Sequence, residues 1–549
     1  MKKIMLAMVL GVAVAVLVEL SYGQFYEPEH LWHQCGADQG DWFGYCIAGI
    51  NDVNGDGCED FLTSESQGDS GVVQLFYGGD PPDSLPDLII RNPYPYGYFA
   101  YQVENVGDVN GDGCDDFAVM GGYSQDNIDR VFIYFGGSLL DTIPDVELSE
   151  VTYMDVFGSN IKGVGDVNGD GFDDVAVGAL NYDNSRSKVW IYFGGNPMDS
   201  IADWEAEGTN QHVDYGQCIT GKGDLNGDGY DDFVIYEWTG HPNLEQISYY
   251  IYYGGNPLDT IPDVIINGES YYPEIAILAP SALIANLRGG SYSDLVIGAG
   301  RTTNAVVFHG GNPMDTVIDL VLQGFETFPI GYGMNVSAVG NVNGDSYDDI
   351  IASQPDANNY GGRVLVFFGS PWMSGQPDIR WDGQSIPGYE LEYGYSLTDC
   401  GDINGDGVDD IIFGYPGTTW YSPWGCVDIW KGDTAFVVNV PEVKSEMIPH
   451  CFRLLPPYPN PFNSSVTIPF EIFQGLLGDV TLKIYNVLGQ EVMDLTAEVK
   501  QSLHGQISGI SQLVWNGKDQ GGADTGSGIY FVELKVKSFR QIEKVVLLR

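Results

Sequence analysis

The stretch Asp52-Val53-Asn54-Gly55-Asp56-Gly57-Cys58-Glu59-Asp60 decides the fold, because the chain returns to this pattern seven times. Five of the copies place oxygen-bearing side chains at positions 1, 3, 5 and 9. Glycine at position 6 permits the sharp backbone reversal through which these oxygens converge. Oxygen ligands on a flexible loop suit a hard cation of the size of calcium. The further copies begin at Asp108, Asp166, Asp224, Asn286, Asn341 and Asp402.

Six of the seven copies supply candidate metal ligands, and we expect about five to six calcium ions. The copy at Asn286 has lost most of its ligands, and we expect Arg288 to fill that site with its own charge. The copy at Asn341 has Ser346 in place of glycine, so we expect weaker binding there. The residue at position 7 completes each set. The candidate ligands are Asp52, Asn54, Asp56, Cys58, Asp60, Asp108, Asn110, Asp112, Cys114, Asp116, Asp166, Asn168, Asp170, Phe172, Asp174, Asp224, Asn226, Asp228, Tyr230, Asp232, Asn341, Asn343, Asp345, Tyr347, Asp349, Asp402, Asn404, Asp406, Val408 and Asp410.

Two other readings of the loop agree less well with the sequence. EF-hands and dockerin modules need an acid at position 12 and a helix after it, whereas this position holds residues such as Thr63 and Val119 inside predicted strands. Paired acids such as Asp115 and Asp116 suggest the two carboxylates of a glycosidase. A catalytic pair is needed only once, and these pairs recur in copy after copy. We therefore expect the acids at position 8 to point outward.

The repeat around each loop is longer than the loop itself, at roughly 55 to 62 residues, which suits one blade of a propeller. In the third copy, three segments have the composition of strands, and a turn and a fourth short strand follow them. These runs are bounded by Gly, Pro and Asp turns. The three segments are Phe157–Val164, Val175–Gly178 and Lys188–Phe193. Four antiparallel strands in each of seven repeats predict an all-β fold, a seven-bladed β-propeller.

The last repeat lacks a clear fourth strand, and the start of the chain can supply it. The segment Glu27–Cys35 aligns with Gln376–Trp381 of the preceding repeat. We therefore expect this segment to complete the last blade and to close the ring by pairing the first residues with the last. The chain has eight cysteines, whose connectivity cannot be read from the sequence. This closure would bring Cys35 and Cys426 close enough to form a disulfide.

The order of strands in a blade assigns the loops to two faces. The metal loop joins strands one and two, and a Gly-Gly-Asn-Pro-type turn joins strands three and four, so both lie on one face. The opposite face carries the loops that differ between copies. Variable loops on a repeated scaffold are common binding sites, and the alternative is that they are solvated turns. These loops are Gly121–Arg130, Leu180–Lys188, Glu237–Gln246, Gln354–Arg363 and Tyr415–Gly425.

The charge is strongly acidic, with 76 Asp plus Glu against 23 Lys plus Arg. Such a surface argues against nucleic acid as a partner. Residues 1–23 have the character of a signal peptide, with Lys2 and Lys3 before an apolar run that ends at Val18. No later stretch is long enough to span a membrane. We therefore expect an exported chain without a transmembrane segment.

The composition changes after residue 436. From Arg453 onward, 9 basic residues balance 9 acidic ones. The Pro-containing stretch 437–453 reads as a linker. Segments such as Val480–Asn486 and Gly528–Lys535 alternate like half-buried strands. The sequence therefore predicts a propeller over 24–436 and a small immunoglobulin-like β-sandwich over 454–549.

Both parts resemble known families. An aromatic-Gly pair such as Phe157-Gly158, then the acidic loop, then a short apolar strand resembles the FG-GAP repeat of integrin alpha subunits, over about residues 24–435. This resemblance implies calcium in the loops and a ligand face opposite. The tail resembles the type A C-terminal sorting domain of the type IX secretion system in Tyr458–Asn463, Ile484–Gln490 and Ser527–Tyr530. That resemblance implies recognition by the type IX secretion machinery, and secretion or display on the outer-membrane surface of a Gram-negative bacterium.

The sequence thus favours an exported calcium-binding propeller that acts in cell adhesion or binds a glycan or protein ligand, whose identity the sequence does not reveal. The alternative is an extracellular polysaccharide lyase or hydrolase on the same scaffold. The sequence contains no G-x-S-x-G or H-E-x-x-H motif, and its seven histidines do not cluster at ligand spacing. We therefore name no catalytic residue.

Overall fold

A computed structural model provides the coordinates of the chain. It describes residues 28–36, 42–65, 71–82, 84–94, 97–122, 128–137, 140–149, 155–181, 187–208, 213–241, 244–267, 281–298, 304–324, 335–355, 357, 361–371, 373, 375–383, 392–416, 425–434, 452–454, 457–472, 480–486, 490–502, 511–536 and 539–548. Its contacts divide the chain into two units, Met1–Asn439 and Val440–Arg549. The predicted signal peptide and most of the predicted linker lie outside the described residues.

The first unit consists of short strands, each bounded by turns. They are β1 (His30–Cys35), β2 (Phe43–Ile50), β3 (Asp60–Glu65), β4 (Val72–Phe76), β5 (Leu88–Arg91), β6 (Phe99–Gly107), β7 (Asp116–Gly121), β8 (Arg130–Tyr134), β9 (Val146–Leu148), β10 (Asp155–Gly165), β11 (Asp174–Asn181), β12 (Lys188–Tyr192), β13 (Trp204–Glu207), β14 (Val213–Thr220), β15 (Phe233–His241), β16 (Leu244–Tyr252), β17 (Val264–Asn267), β18 (Ala282–Ala285), β19 (Asp294–Gly298), β20 (Ala305–Phe308), β21 (Leu320–Leu322), β22 (Asn335–Ala338), β23 (Ile350–Ser353), β24 (Arg363–Phe367), β25 (Ile379–Asp382), β26 (Ser396–Asp399), β27 (Ile411–Tyr415) and β28 (Cys426–Trp430).

In the described part of this unit, the strands form seven four-stranded antiparallel sheets. Six sheets take their strands in chain order, from β2–β5 to β22–β25, and the seventh has the order β26, β27, β28, β1. The first strands of successive sheets pack against one another, and β26 packs against β2. The sheets therefore form a closed ring whose centre is lined by their first strands, which is the architecture of a β-propeller.

Apolar side chains of neighbouring sheets form the core between blades. The second and third strands are almost continuously buried, as in β7, because both of their faces are covered by neighbouring blades. Between blades one and two, Leu62 and Val73 pack with Phe117 and Phe132. Apolar packing between neighbouring sheets therefore makes up the core between the blades.

The predicted closure of the ring is confirmed. Strand β1 pairs with β28 as the fourth strand of the seventh blade. Trp32 on β1 contacts Phe61 and Phe76 of the first blade, with ring centroids 5.3 and 5.4 Å away. Cys35 and Cys426 form the predicted disulfide. The beginning of the chain thus joins the seventh blade by hydrogen bonds and a covalent bond, and the first blade by packing.

The second unit also consists mainly of strands. Its elements are β29 (Phe452–Leu454), β30 (Val466–Ile472), β31 (Val480–Asn486), β32 (Glu491–Asp494), α1 (Thr496–Ser502), β33 (Ser511–Trp515), β34 (Gly528–Val536) and β35 (Phe539–Leu547). Its two sheets have the orders β29-β30-β33 and β32-β31-β34-β35. Trp515 is 1% exposed and contacts Phe462 and Tyr530, so the sheets share an apolar core. The helix α1 was not predicted, and the immunoglobulin-like topology stays a prediction.

Candidate metal centres and ligand surface

Each acidic repeat forms the loop between the first and second strands of its blade, and we number these loops one to seven. Within loop one, Asp52 accepts the N–H groups of Gly55, Asp56 and Gly57 at 2.6 to 3.0 Å. Gly57 has a φ of 94°, in the left-handed region that glycine adopts most readily. The loop therefore curls around the carboxylate of position 1. The loops span residues 52–60, 108–116, 166–174, 224–232, 286–294, 341–349 and 402–410.

The aromatic side chains at position 7 of loops three and four pack on the preceding loop. The ring of Phe172 lies against Gly111 of the preceding loop, so close that a Cβ built on Gly111 would lie 2.5 Å from a ring carbon. Tyr230 lies against Gly169 in the same way. In loops three and four, any contribution of position 7 to a cation is thus confined to its backbone carbonyl, whereas the thiols of Cys58 and Cys114 lie beside Asp56 and Asp112.

The carboxylate at position 9 is fully buried in all seven loops. In loop one, Asp60 accepts the N–H of Val53 at 2.9 Å and that of Gly78 at 2.8 Å. Gly78 opens the turn between the third and fourth strands, so position 9 ties the two loops of this face together. Despite these bonds, burial raises the pKa of Asp60, Asp232 and Asp410 to about 7 and that of Asp116, Asp174 and Asp349 to about 8.

The residues of these loops fit a cation. A buried carboxylate is costly unless a positive charge lies beside it, and each of the six loops offers several oxygens around its position 9. In loop three, the Oδ1 of Asn168 is buried without a hydrogen-bond partner, although the residue is only 6% exposed. This orphaned oxygen belongs to position 3, which the sequence predicts as a ligand.

Loop five supplies its own positive charge, as the sequence predicts. Arg288 occupies position 3, and its Nε and Nη2 donate hydrogen bonds of 2.7 to 3.2 Å to both carboxylate oxygens of Asp294 at position 9. Asp294 is 0% exposed, so the ion pair lies at the edge of the core. The degenerate loop therefore keeps the buried acid and replaces its other ligands by a guanidinium.

Loops six and seven keep the backbone but differ in detail. Ser346 replaces the glycine of position 6 in loop six and still has a φ of 79°. A side chain rarely adopts this conformation, so the fold imposes it at some cost. In loop seven, the Nζ of Lys431 lies 2.5 Å from the Oδ2 of Asp406 at position 5. A cation in loop seven must therefore compete with an ammonium group.

The prediction that position 8 acids point outward is wrong. Asp173 of loop three accepts the N–H of Asp108 in loop two at 3.0 Å. Asp409 of loop seven accepts the N–H of Asn341 in loop six at 2.6 Å. The same bond joins Asp231 to Asp166 and Asp348 to Asn286. In loops three, four, six and seven, position 9 therefore acts within its own blade, and position 8 connects that blade to the preceding one.

A group of aromatic side chains lies at the other end of the first strands, which is the face opposite the metal loops. We call Trp42, Tyr45, Tyr98, Tyr101 and Tyr395 the aromatic surface. Tyr45 contacts Trp42, Tyr101 and Tyr395, and Tyr101 contacts Tyr98, with ring centroids 5.4 to 5.8 Å apart. They come from blades seven, one and two, beside the centre of the ring, and Tyr98 is 49% exposed.

The aromatic surface was not predicted, although Tyr45, Tyr101 and Tyr395 follow equivalent points of their repeats. The signal was available, because each lies one residue after the aromatic-Gly pair or its variant Phe99-Ala100. The variable loops that the sequence favoured as ligand sites lie partly outside the described residues, at 123–127, 182–186, 242–243, 356, 358–360 and 417–424. The structure therefore adds a candidate ligand surface beside those loops.

The comparison with protein families supports both predicted resemblances. Residues 163–192 and 333–367 match the FG-GAP repeat. Residues 457–514 match the secretion system C-terminal sorting domain. The chain thus carries FG-GAP repeats in its first unit and a type IX sorting domain in its second. This sorting domain implies secretion to the cell surface or the exterior of a Gram-negative bacterium.

Integrin alpha subunits are similar to parts of the chain. Integrin alpha-5 of Xenopus laevis is 29% identical over 217 residues, which are 35% of this chain and 20% of the relative. Integrin alpha-IIb of Mus musculus is 33% identical over 183 residues, 31% of this chain and 17% of the relative. Integrin alpha-PS3 of Drosophila melanogaster is 27% identical over 248 residues, 41% and 21% respectively. The chain therefore spans about a fifth of the length of these relatives.

A solved structure also matches, at 11% identity and a TM-score of 0.22, over 90% of this chain and 74% of the other. Its title names PorZ, an essential bacterial surface component of the type-IX secretion system of Porphyromonas gingivalis. This score is too low to support an argument about the fold. Separately, no helix among the described residues is long and apolar enough to cross a membrane.

Proposed function

We propose that this protein is a calcium-stabilised adhesion module of the bacterial surface, which binds a glycan or protein ligand on the face opposite its metal loops. The C-terminal sorting domain delivers it, and the propeller is the working part. The integrin alpha relatives support the kind of scaffold, and the geometry of the loops supports the metal. No observation among the described residues favours the alternative, a polysaccharide lyase or hydrolase.

The ion pair of Arg288 with Asp294 carries the calcium proposal. Six other loops bury the same carboxylate, and in them no arginine occupies position 3. Calcium, coordinated by oxygens at positions 1, 3, 5 and 9, would supply the missing positive charge. Because loops of adjacent blades are joined through position 8, each ion would also stiffen the contact between blades. Calcium sites of extracellular modules bind at about 10⁻⁴ to 10⁻³ M.

The calcium proposal is tested by counting ions with a matched pair of variants. Asp170 Oδ1 in loop three accepts the N–H of Phe172 at 3.1 Å, and Asp199 Oδ1 in a turn of the same face accepts that of Ile201 at 2.8 Å. Both aspartates thus make the same local bond, but only Asp170 is a predicted ligand. Equilibrium dialysis should find one ion fewer in Asp170→Asn and an unchanged number in Asp199→Asn. A wild-type protein that binds no calcium at millimolar concentration contradicts the proposal.

The aromatic surface supports the ligand proposal. Tyrosine and tryptophan supply large apolar contact area together with a polar group, and they are enriched at binding surfaces. A glycan array and adhesion to immobilised proteins, each with and without calcium, would identify the ligand class. Tyr98→Ala should weaken binding, whereas Tyr292→Ala, which removes a 38% exposed tyrosine on the metal-loop face, should not. Equal binding by both variants would place the ligand elsewhere.

A further inference from the structure

One face of the ring-closing strand pair places a histidine and a carboxylate beside the disulfide. On β1, His33 and Cys35 are two residues apart and therefore point to the same side of the sheet. The register pairs His33 with Asp428 and Cys35 with Cys426 on β28. Four chemically active side chains thus meet at the end of the pair.

Asp428 lies at the centre of this group and contacts both histidines of β1. Its side chain is 0% exposed, and its Oδ1 lies 2.7 Å from the Nδ1 of His33 and 3.2 Å from the Nε2 of His30. The hydroxyl of Tyr393 donates to its Oδ2 at 2.9 Å, and Tyr415 of the neighbouring strand also faces it. A buried carboxylate that holds Nδ1 fixes both the tautomer and the orientation of the ring, as in the acid–histidine pair of a catalytic triad.

The other ring nitrogen of His33 is directed at sulfur. Nε2 lies 3.2 Å from the Sγ of Cys35. A disulfide sulfur carries no proton, so this contact is a hydrogen bond when Nε2 itself is protonated. The carboxylate of Asp428, 2.7 Å from Nδ1, supplies a countercharge for that imidazolium form. An imidazolium beside a cysteine stabilises its thiolate and so favours the reduced state of the pair.

We propose that Cys35–Cys426 is a thiol–disulfide exchange site, in which His33 stabilises the thiolate of Cys35, Asp428 positions His33, and the substrate is an external dithiol. Cys35 is a partly exposed residue and is the point of attack, since Cys426 is only 6% exposed. The site lies where the beginning of the chain is fastened to the last blade. Exchange there makes or breaks the covalent closure of the ring.

The exchange is balanced as follows. A thiolate of the dithiol attacks Sγ of Cys35, the Cys35–Cys426 bond breaks, and Cys426 leaves as a thiolate that takes the proton of His33, whose ring lies within 4.8 Å. The second thiol of the dithiol then attacks the dithiol sulfur that is bonded to Cys35, and Cys35 leaves as a thiolate. The proton of this second thiol restores the imidazolium. The dithiol is oxidised to its disulfide, and two electrons and one proton pass to the cysteine pair, which ends as the Cys426 thiol and the Cys35 thiolate beside the imidazolium.

The other described cysteines lack this setting. Burial raises the pKa of Cys46 to about 12 and that of Cys218 to about 11, so neither forms a thiolate at neutral pH. The sulfur of Cys46 instead donates to the carbonyl of Val103 at 3.3 Å. These cysteines provide internal references for reactivity at Cys35.

The test follows Cys35 and Cys426 in the full chain by differential alkylation and mass spectrometry of their peptides. In glutathione redox buffers, His33→Gln should make the bond about tenfold harder to reduce, the effect of one pKa unit at the thiolate, and Asp428→Asn should shift it in the same direction. Reduction by dithiothreitol should also slow. The control is His309→Gln, which removes a histidine that pairs with Asp319 at 3.3 Å in blade five.

A reduction equilibrium of His33→Gln within twofold of the wild type overturns the proposal. Easier reduction overturns it too, because His33 would then only hold β1 in place. The wild-type protein supplies a second measurement that needs no variant. After reduction, iodoacetamide at pH 6 should label Cys35 at least tenfold faster than Cys46 and Cys218, and equal labelling of the three overturns the exchange site.

Discussion

The guanidinium of Arg288 lies where the other six loops present oxygens, and it donates to both oxygens of the buried carboxylate of Asp294. This pair shows what position 9 requires in every blade. An ionised aspartate with no access to water needs a positive charge or a proton. Loop five supplies this positive charge with Arg288, whereas the other six loops have no arginine at position 3.

Removal of the guanidinium should destabilise the propeller in a way that calcium does not repair. Arg288→Met removes the hydrogen bonds of the guanidinium from the buried carboxylate of Asp294, while the N–H of Gly310 still donates to it at 3.1 Å. We expect a loss of about 2 kcal/mol in the free energy of unfolding, below the full cost of breaking a buried pair because Arg288 is partly exposed. Denaturant unfolding with and without calcium measures it. Arg288→Lys should lose less, and an equal loss in both variants would contradict a role for the charge.

The stabilisation by calcium should grow with pH. Burial raises the pKa of Asp116, Asp174 and Asp349 from the ordinary value of 3.8 to about 8 in the metal-free fold. A carboxyl whose pKa is raised on folding contributes stability that is present below the unfolded pKa and is lost as pH rises through the folded pKa. The metal-free protein should therefore lose stability between about pH 4 and pH 8. Calcium binds the ionised form and should remove this loss.

The measurement is a pair of thermal melts at pH 5 and pH 8, in calcium and in buffer freed of metal by dialysis. The difference in melting temperature between the two buffers should be small at pH 5 and several degrees larger at pH 8, by linkage to calcium binding. A difference that is constant from pH 5 to pH 8 would show that protons and calcium do not compete for position 9.

Lys431 should weaken calcium binding in loop seven. Its Nζ lies 2.5 Å from Asp406, a predicted ligand, and it occupies the slot that Phe193 holds in blade three. Lys431→Phe should raise the affinity of loop seven by about fivefold, the order of a partly exposed ion pair. The reciprocal variant, Phe193→Lys, should lower the affinity of loop three. Calorimetric titration of both would resolve the effect, and an identical titration for Lys431→Phe and wild type would speak against this competition.

Much of the fold was predictable because it is repeated. The spacing of the acidic loops predicted the blades, and the stray strand before Cys35 predicted the closure and the disulfide with Cys426. Both inferences depend on counting strands, which a repeat makes possible from one sequence. The direction of Asp173 was not predictable, because its partner, the N–H of Asp108, is 65 residues away on another blade. The residue pattern within one repeat does not indicate which residues contact the next repeat.

The candidate site was predictable only where the chemistry is local. Arg288 stands inside the loop that it fills, so its role could be read from position alone. Lys431 and Asp406, by contrast, lie 25 residues apart in two different turns of one blade, and the fold brings them together. His33 and Asp428, 395 residues apart, meet only because the ring closes. The exchange site therefore needed the register of β1 against β28.

Deletion of the C-terminal unit should separate export from folding. All strands of the seven propeller sheets pair within β1–β28, and the ring-closing disulfide lies in the same unit. The tail has its own buried core around Trp515. A chain that ends at residue 453 should therefore keep its propeller, its calcium and its ligand, but it should accumulate in the periplasm because the sorting domain is missing. Cell fractionation and surface proteolysis measure the location, and a melt of the purified propeller checks its fold.

A matched variant, Trp515→Ala, leaves the length unchanged and should unfold only the tail, so this chain should be retained in the periplasm as well. Normal surface display of the shortened chain would show that the tail is an accessory domain and that another segment directs export.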